Sequence, residues 1–163
     1  MSLIAIDGRA GAGKTTLAAA LFAELSLKQS VDVIHMDDLY EGWNNALGVH
    51  LTQTLETIVK AHQLNRTFEI KIFNWESMKF DSTQKIEPVE ILILEGVGAG
   101  QKVVREAGAT LHWLDIDPDV GIARVLKRDG NQIAQQMKQW QIDQEMHFMS
   151  DKTRENAQHF QSS

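Results

Sequence analysis

The chain has no cysteine, only two prolines and a single tyrosine. Without cysteine, a disulfide framework and a thiolate metal site are both excluded. The same absence fits a reducing compartment, so a cytoplasmic location is expected. No apolar run approaches the ~18 residues of a membrane span, and no membrane partner is expected. The first residues also lack the basic-then-apolar pattern of a secretory leader. Basic residues are scarce: 16 Lys and Arg against 22 Asp and Glu leave a net charge of −6. That balance excludes the broad basic face of a nucleic-acid binder, but not one local anion site.

Enough remains to build one domain. The 163 residues are 43% hydrophobic, which supplies a single core. There is no repeat and no linker, since Pro88 and Pro118 sit outside any Pro/Gly/Ser-rich stretch. A core over 1–129 followed by a glutamine-rich helical tail over 130–163 is the expected organisation.

Strand and helix patterns alternate. Leu3–Ile6 is a short apolar run, and Lys14 to Leu27 is rich in strong helix formers. Val31–Ile34 reads as a second strand. Leu55, Ile58, Val59 and His62 fall on one helical stripe. Phe68–Phe73 alternates apolar and polar, as a half-exposed strand does, and 76–88 reads as a loop. Ile91–Leu94 is wholly apolar, as expected of a parallel strand covered on both faces. Leu111–Ile116 is another strand, with Trp113 in the core. Asp117 and Pro118 then form a cap and first turn. The tail from Ile133 places Met137, Trp140, Gln144 and Phe148 on one side. This alternation predicts a three-layer α/β fold with a mainly parallel sheet between helices.

The sharpest motif is Gly8-Arg9-Ala10-Gly11-Ala12-Gly13-Lys14-Thr15, which fits the phosphate loop G-x-x-x-x-G-K-S/T at every fixed position. A strand precedes it and a helix follows, a context that a chance glycine-rich turn would lack. Glycines let successive N–H groups converge on one anion, and the helix N-terminus adds positive potential. Gly8, Ala10, Gly11, Ala12, Gly13, Lys14, Thr15 and Thr16 are the nucleotide-binding candidates. In this motif Lys14 reaches the β- and γ-phosphates, and the Thr15 hydroxyl can ligate Mg²⁺.

Ile91–Leu94 ends in Glu95, an acid at the carboxyl end of a core strand, where such folds bind ligands. Glu95 is therefore the second metal candidate. Asp37 and Asp38 end the second strand, and phosphoryl transfer needs a carboxylate to orient and deprotonate a hydroxyl. Asp37 is the candidate base, and Asp38, Tyr40, Trp43 and Trp75 are candidates for the acceptor side. The competing reading makes the two acids turn caps and the rings ordinary packing. Arg124, Lys127 and Arg128 share one helix face; Arg124 and Arg128 are lid candidates that would stabilise transferring charge. The six histidines show no metal-ligand spacing and read as packing or surface residues.

Taken in order, these segments resemble the uridine kinase-like branch of the P-loop small-molecule kinases, which includes phosphoribulokinase and bacterial pantothenate kinase. Ile4–Thr16 resembles the phosphate loop, and Met36-Asp37-Asp38-Leu39-Tyr40 resembles the family's Asp-Ser-Phe-Tyr stretch, whose first Asp is the proposed base. Phe73-Asn74-Trp75 sits where the family has an acceptor segment, Tyr-Asp-Phe, and Leu94–Val97 resembles its Glu-Gly strand end. Asp115–Asp129 resembles the strand and Arg-bearing lid helix. The resemblance implies an ATP- and Mg²⁺-dependent kinase acting on a small hydroxyl-bearing metabolite. Three departures stand out: Asn74 replaces an acid, Val125 replaces a second Arg, and the glutamine-rich tail stands where the family continues into a further strand. They separate the identity of the acceptor from the kinase chemistry. A nucleotide-binding switch or partner-dependent ATPase, docking through Trp140 and Phe148, is the alternative. A nucleoside monophosphate kinase would need more Arg in the 40–80 region than Arg66 alone. Partners are then ATP and a small acceptor, without nucleic acid; the oligomeric state stays open.

Overall fold

A computed structural model describes all 163 residues. The elements run β1 (Ser2–Gly8), α1 (Lys14–Leu25), β2 (Val31–His35), α2 (Val49–Gln63), β3 (Phe68–Asn74), β4 (Lys79–Ile86), β5 (Ile91–Glu95), α3 (Lys102–Glu106), β6 (Thr110–Asp115), α4 (Pro118–Asp129), α5 (Ala134–Asp151) and β7 (His159–Ser162). The main sheet is wholly parallel, in the order β2-β5-β1-β6-β7. This is the α/β P-loop NTPase architecture.

The layers follow from alternation along the strands. On β5, Leu92 and Leu94 join one core and Ile91 and Ile93 the other. The smaller core lies under α1 and takes in Ile6, Ala18 and Leu114. The larger one takes in Leu55 and Ile58 of α2, Val104 of α3, and Met137, Trp140 and Phe148 of α5. Both faces of β5 are thus covered, and every one of its residues is buried. Asp117 caps α4 as expected, accepting from the N–H groups of Asp119 at 3.0 Å and Val120 at 3.2 Å.

Two expectations are corrected. Residues 76–88 are not a loop, because Lys79–Ile86 pairs antiparallel with β3 as a two-stranded ribbon. Its side chains are almost all exposed, so no apolar alternation marks it. The tail is not helical to its end either. After α5 the chain returns to the sheet as β7, parallel to β6 at the edge. All four β7 residues are exposed, and pairing here rests on backbone hydrogen bonds rather than on an apolar pattern. A strand therefore stands in a tail that was expected to be helical.

Candidate functional site

The carboxyl ends of β1, β5 and β2 meet at one crevice. β1 leads through the phosphate loop into α1, and the chain leaves β1 towards β2 on one side, while β5 leads across to β6 on the other. Such a reversal is where open parallel sheets bind ligands. Gly13 immediately precedes α1 with φ of 93°, a left-handed conformation that favours glycine. Lys14, the first residue of α1, is buried and donates from Nζ to the Arg9 carbonyl at 2.8 Å, which closes the loop on itself. Burial holds its ammonium below the usual lysine range, and Asp7, Glu95 and Asp37 oppose that shift.

Glu95 ends β5, and Oε1 accepts from Thr15 Oγ1 at 3.2 Å. The two proposed Mg²⁺ ligands are thus neighbours, one from α1 and one from β5. Both present oxygen, the donor type that Mg²⁺ prefers. The same Glu95 oxygen lies 2.5 Å from Nδ1 of His35 at the end of β2, a contact that raises the histidine pKa. His35 was read from sequence as packing or surface, and no spacing motif marks it. Its only signal is its place two residues before Asp37, at a strand end facing the crevice.

Met36–Asp38 forms one short 3₁₀ turn after β2. Asp37 opens into the crevice, and its carbonyl accepts the Trp75 indole N–H at 2.9 Å. The surrounding protein, and then Glu95, hold its carboxyl above the usual aspartate range, against the pull of Lys14 and Arg128. Asp38 behaves differently. It is half-buried and is not among the cleft-lining side chains. Burial raises its pKa, and His35 lowers it.

The crevice is one cleft of about 560 Å³. One end is lined by Gly11, Gly13, Lys14, Thr15 and Thr16; the other by Tyr40, Trp43, Trp75 and Trp140. The rings pack edge to face: Trp43 on Trp75 at 5.1 Å, Tyr40 on Trp140 at 5.1 Å, and Trp43 on Trp140 at 6.2 Å. Tyr40 is buried and donates its hydroxyl to the Val97 carbonyl at 2.7 Å, so it builds the wall. Trp140 was not among the sequence candidates for this wall. Its helical stripe marked it as buried without saying that the stripe borders a cleft.

Arg124 and Arg128 of α4 also line the cleft. Arg124 reaches the Gly11 carbonyl at 3.4 Å and Ser163 Oγ at 2.6 Å. Arg128 is held bidentately by its neighbour Asp129, with both contacts at 2.7 Å. Lys14, these two arginines and the loop amides supply positive charge locally at the cleft, which reconciles a −6 chain with an anionic ligand.

Asp7 carries a role that the sequence did not reveal. It is fully buried, and its carboxylate accepts from the N–H groups of Gly8 at 2.7 Å, Gly98 at 3.1 Å and Gly100 at 2.8 Å. It thereby ties the phosphate loop to the segment after Glu95, although burial still raises its pKa.

No protein-family model matches the chain. A uridine kinase of Clostridium perfringens is 26% identical over 157 residues, which cover 83% of this chain and 71% of that one. Among solved structures, a possible uridine kinase from Bacillus stearothermophilus superposes with a TM-score of 0.65 at 21% identity, covering 98% of this chain and 87% of that one. The shikimate kinase of Bacteroides thetaiotaomicron superposes with a TM-score of 0.54 at 18% identity, covering 99% and 85%.

Proposed function

We propose that this uridine kinase-like P-loop chain transfers the γ-phosphoryl group of ATP to the hydroxyl of a small metabolite. The observation that carries the reading is that one cleft is lined by both a phosphate loop and an aromatic wall, with Asp37 also lining it and its carbonyl bonded to the Trp75 indole. A phosphate loop alone serves many nucleotide-binding proteins. A carboxylate set between that loop and a ring-lined pocket is what transfer to an alcohol needs.

Lys14 and the loop amides would hold the phosphates, and Arg124 and Arg128 would balance charge on the transferring group. Thr15 and Glu95 would hold Mg²⁺, which when bound neutralises phosphate charge. The acceptor oxygen attacks the γ-phosphorus, the bond to the β-bridging oxygen breaks, and ADP leaves. Asp37 orients the hydroxyl and takes its proton. Its raised pKa makes it a better proton acceptor than a solvated aspartate. Arg128 must exchange Asp129 for phosphate as the lid closes; exposed pairs of this kind are worth only ~0–1 kcal/mol, so the exchange is easy. Closure also excludes water, which would otherwise hydrolyse ATP.

One observation favours the partner-dependent ATPase instead. The outward face of α5 carries Ile142, Met146 and Met149 at helical spacing, all exposed. Its inner face weighs the other way, because Trp140 and Phe148 are buried and unavailable for docking. A screen of ATP against nucleosides, sugars and vitamins, scoring ADP and phosphorylated product together, separates the two. Product formation supports the kinase. ADP without product in every case supports the ATPase.

A further inference from the structure

The phosphate loop is gripped from outside by residues that no part of the motif includes. Gln144 of α5 is fully buried, and its Oε1 accepts the N–H of Ala10 at 3.0 Å. The next residue, Glu145, takes the Arg9 guanidinium in a two-pronged pair, with Nη2 to Oε2 at 3.1 Å. Arg9 also reaches Asp115 at 3.3 Å and the Ile116 carbonyl at 3.2 Å. On the other side, α4 meets the loop backbone to backbone. A Cβ on Gly121 would lie 2.3 Å from the Ala10 carbonyl oxygen, and one on Gly11 would lie 2.2 Å from the Gly121 oxygen.

Gln144 is a poor choice for stability alone. Its Nε2 is buried without a partner, an arrangement that costs free energy and that an apolar side chain of similar shape would avoid. What it does achieve is to fix one loop amide. That amide belongs to the segment whose preceding carbonyl, on Arg9, holds Lys14 Nζ. The grip therefore reaches the phosphate-binding lysine in two steps.

We propose that Gln144, supported by Glu145, is a positioning residue that holds Arg9 and Ala10 in the curvature the loop needs to bind nucleotide phosphates. This rests on the nucleotide-site reading above. α5 thus serves both ends of the cleft: Trp140 at the aromatic wall and, one turn on, Gln144 at the loop.

The test is Gln144→Met, which keeps the volume and removes the acceptor, with Gln139→Met at an exposed position of α5 as control. ADP affinity is measured by calorimetry, thermal stability by melting, and amide exchange of Ala10 by NMR. Gln144→Met relieves the unpaired Nε2 but orphans the Ala10 N–H, so it is expected to melt close to the wild-type temperature, to bind ADP about fivefold more weakly, and to lose protection at Ala10. A role in packing alone would leave both ADP affinity and Ala10 protection unchanged, and either result overturns the proposal. Should Gln144→Met not fold, Glu145→Gln on the more open side of the same grip carries the test. It is expected to weaken ADP about twofold, and unchanged affinity there overturns the proposal. Failure of the wild type to bind ADP is a separate result, visible before any variant is compared, and it removes the nucleotide-site reading itself.

Discussion

As the proposed base, Asp37 answers to two opposed demands. A base for an alcohol must be ionised yet strongly basic, and crowding by the fold with Glu95 nearby raises its pKa in that direction. The same shift weakens the fold. A carboxyl whose folded pKa lies above its unfolded value binds more protons folded than unfolded, so stability falls as pH rises through that window and stays lower above it. Asp37→Asn is therefore expected to melt slightly higher than wild type at neutral pH, to keep ADP affinity, and to lose transfer by at least ~100-fold. Calorimetry, melting and product assay check the three parts. The acid limb of the rate profile is expected above the usual aspartate range. His35 has the reverse sign: its pKa is raised by its hydrogen bond to Glu95, so its contribution is complete below about 6.5 and fades as pH rises through the higher folded value. His35→Ala is expected to lower melting more at pH 5.5 than at pH 9. At this scale the motif residues were legible because phosphate binding demands particular side chains at fixed spacing. Asp7, His35 and Gln144 were not, because each acts on a group distant in sequence: Gly98 and Gly100, Glu95, and Ala10 respectively.

Among the elements, those with a buried stripe were legible and those without one were not. β5 and α5 declare themselves through apolar spacing. β4 and β7 are held by backbone pairing with exposed side chains, and nothing in Lys79–Ile86 or His159–Ser162 distinguishes them from polar loops. The α4–loop contact was equally hidden, because it is made by backbone. It makes a sharp prediction nonetheless: Gly121→Ala places a methyl against the Ala10 carbonyl, so α4 must move off the loop. Urea denaturation is expected to show a loss of about 1–3 kcal/mol, although alanine favours helix over glycine. ADP affinity is expected to fall with it. A gain in stability would mean that α4 shifts freely.

Across the whole molecule, a phosphate-loop motif, the oxygens of Thr15 and Glu95, the proposed base Asp37 and an aromatic wall gather at one end of a parallel sheet. The α/β class and the order of the segments were legible in the sequence. Tyr40, Trp43 and Trp75 were legible as an aromatic group, but Trp140 was not, because it joins them from α5, a distant stretch of chain. ADP with Mg²⁺ at about 100 times its dissociation constant is expected to stabilise the chain by ~2.7 kcal/mol, or roughly 5–10 °C in Tm, and Lys14→Ala is expected to abolish the shift. The most direct test of the kinase reading follows ATP turnover by phosphorus NMR in the presence of nucleosides, sugars and vitamins. The account predicts a phosphate-ester signal with one acceptor class, equal in amount to the ADP formed and absent in Asp37→Asn. ADP matched only by inorganic phosphate across the whole panel would contradict it.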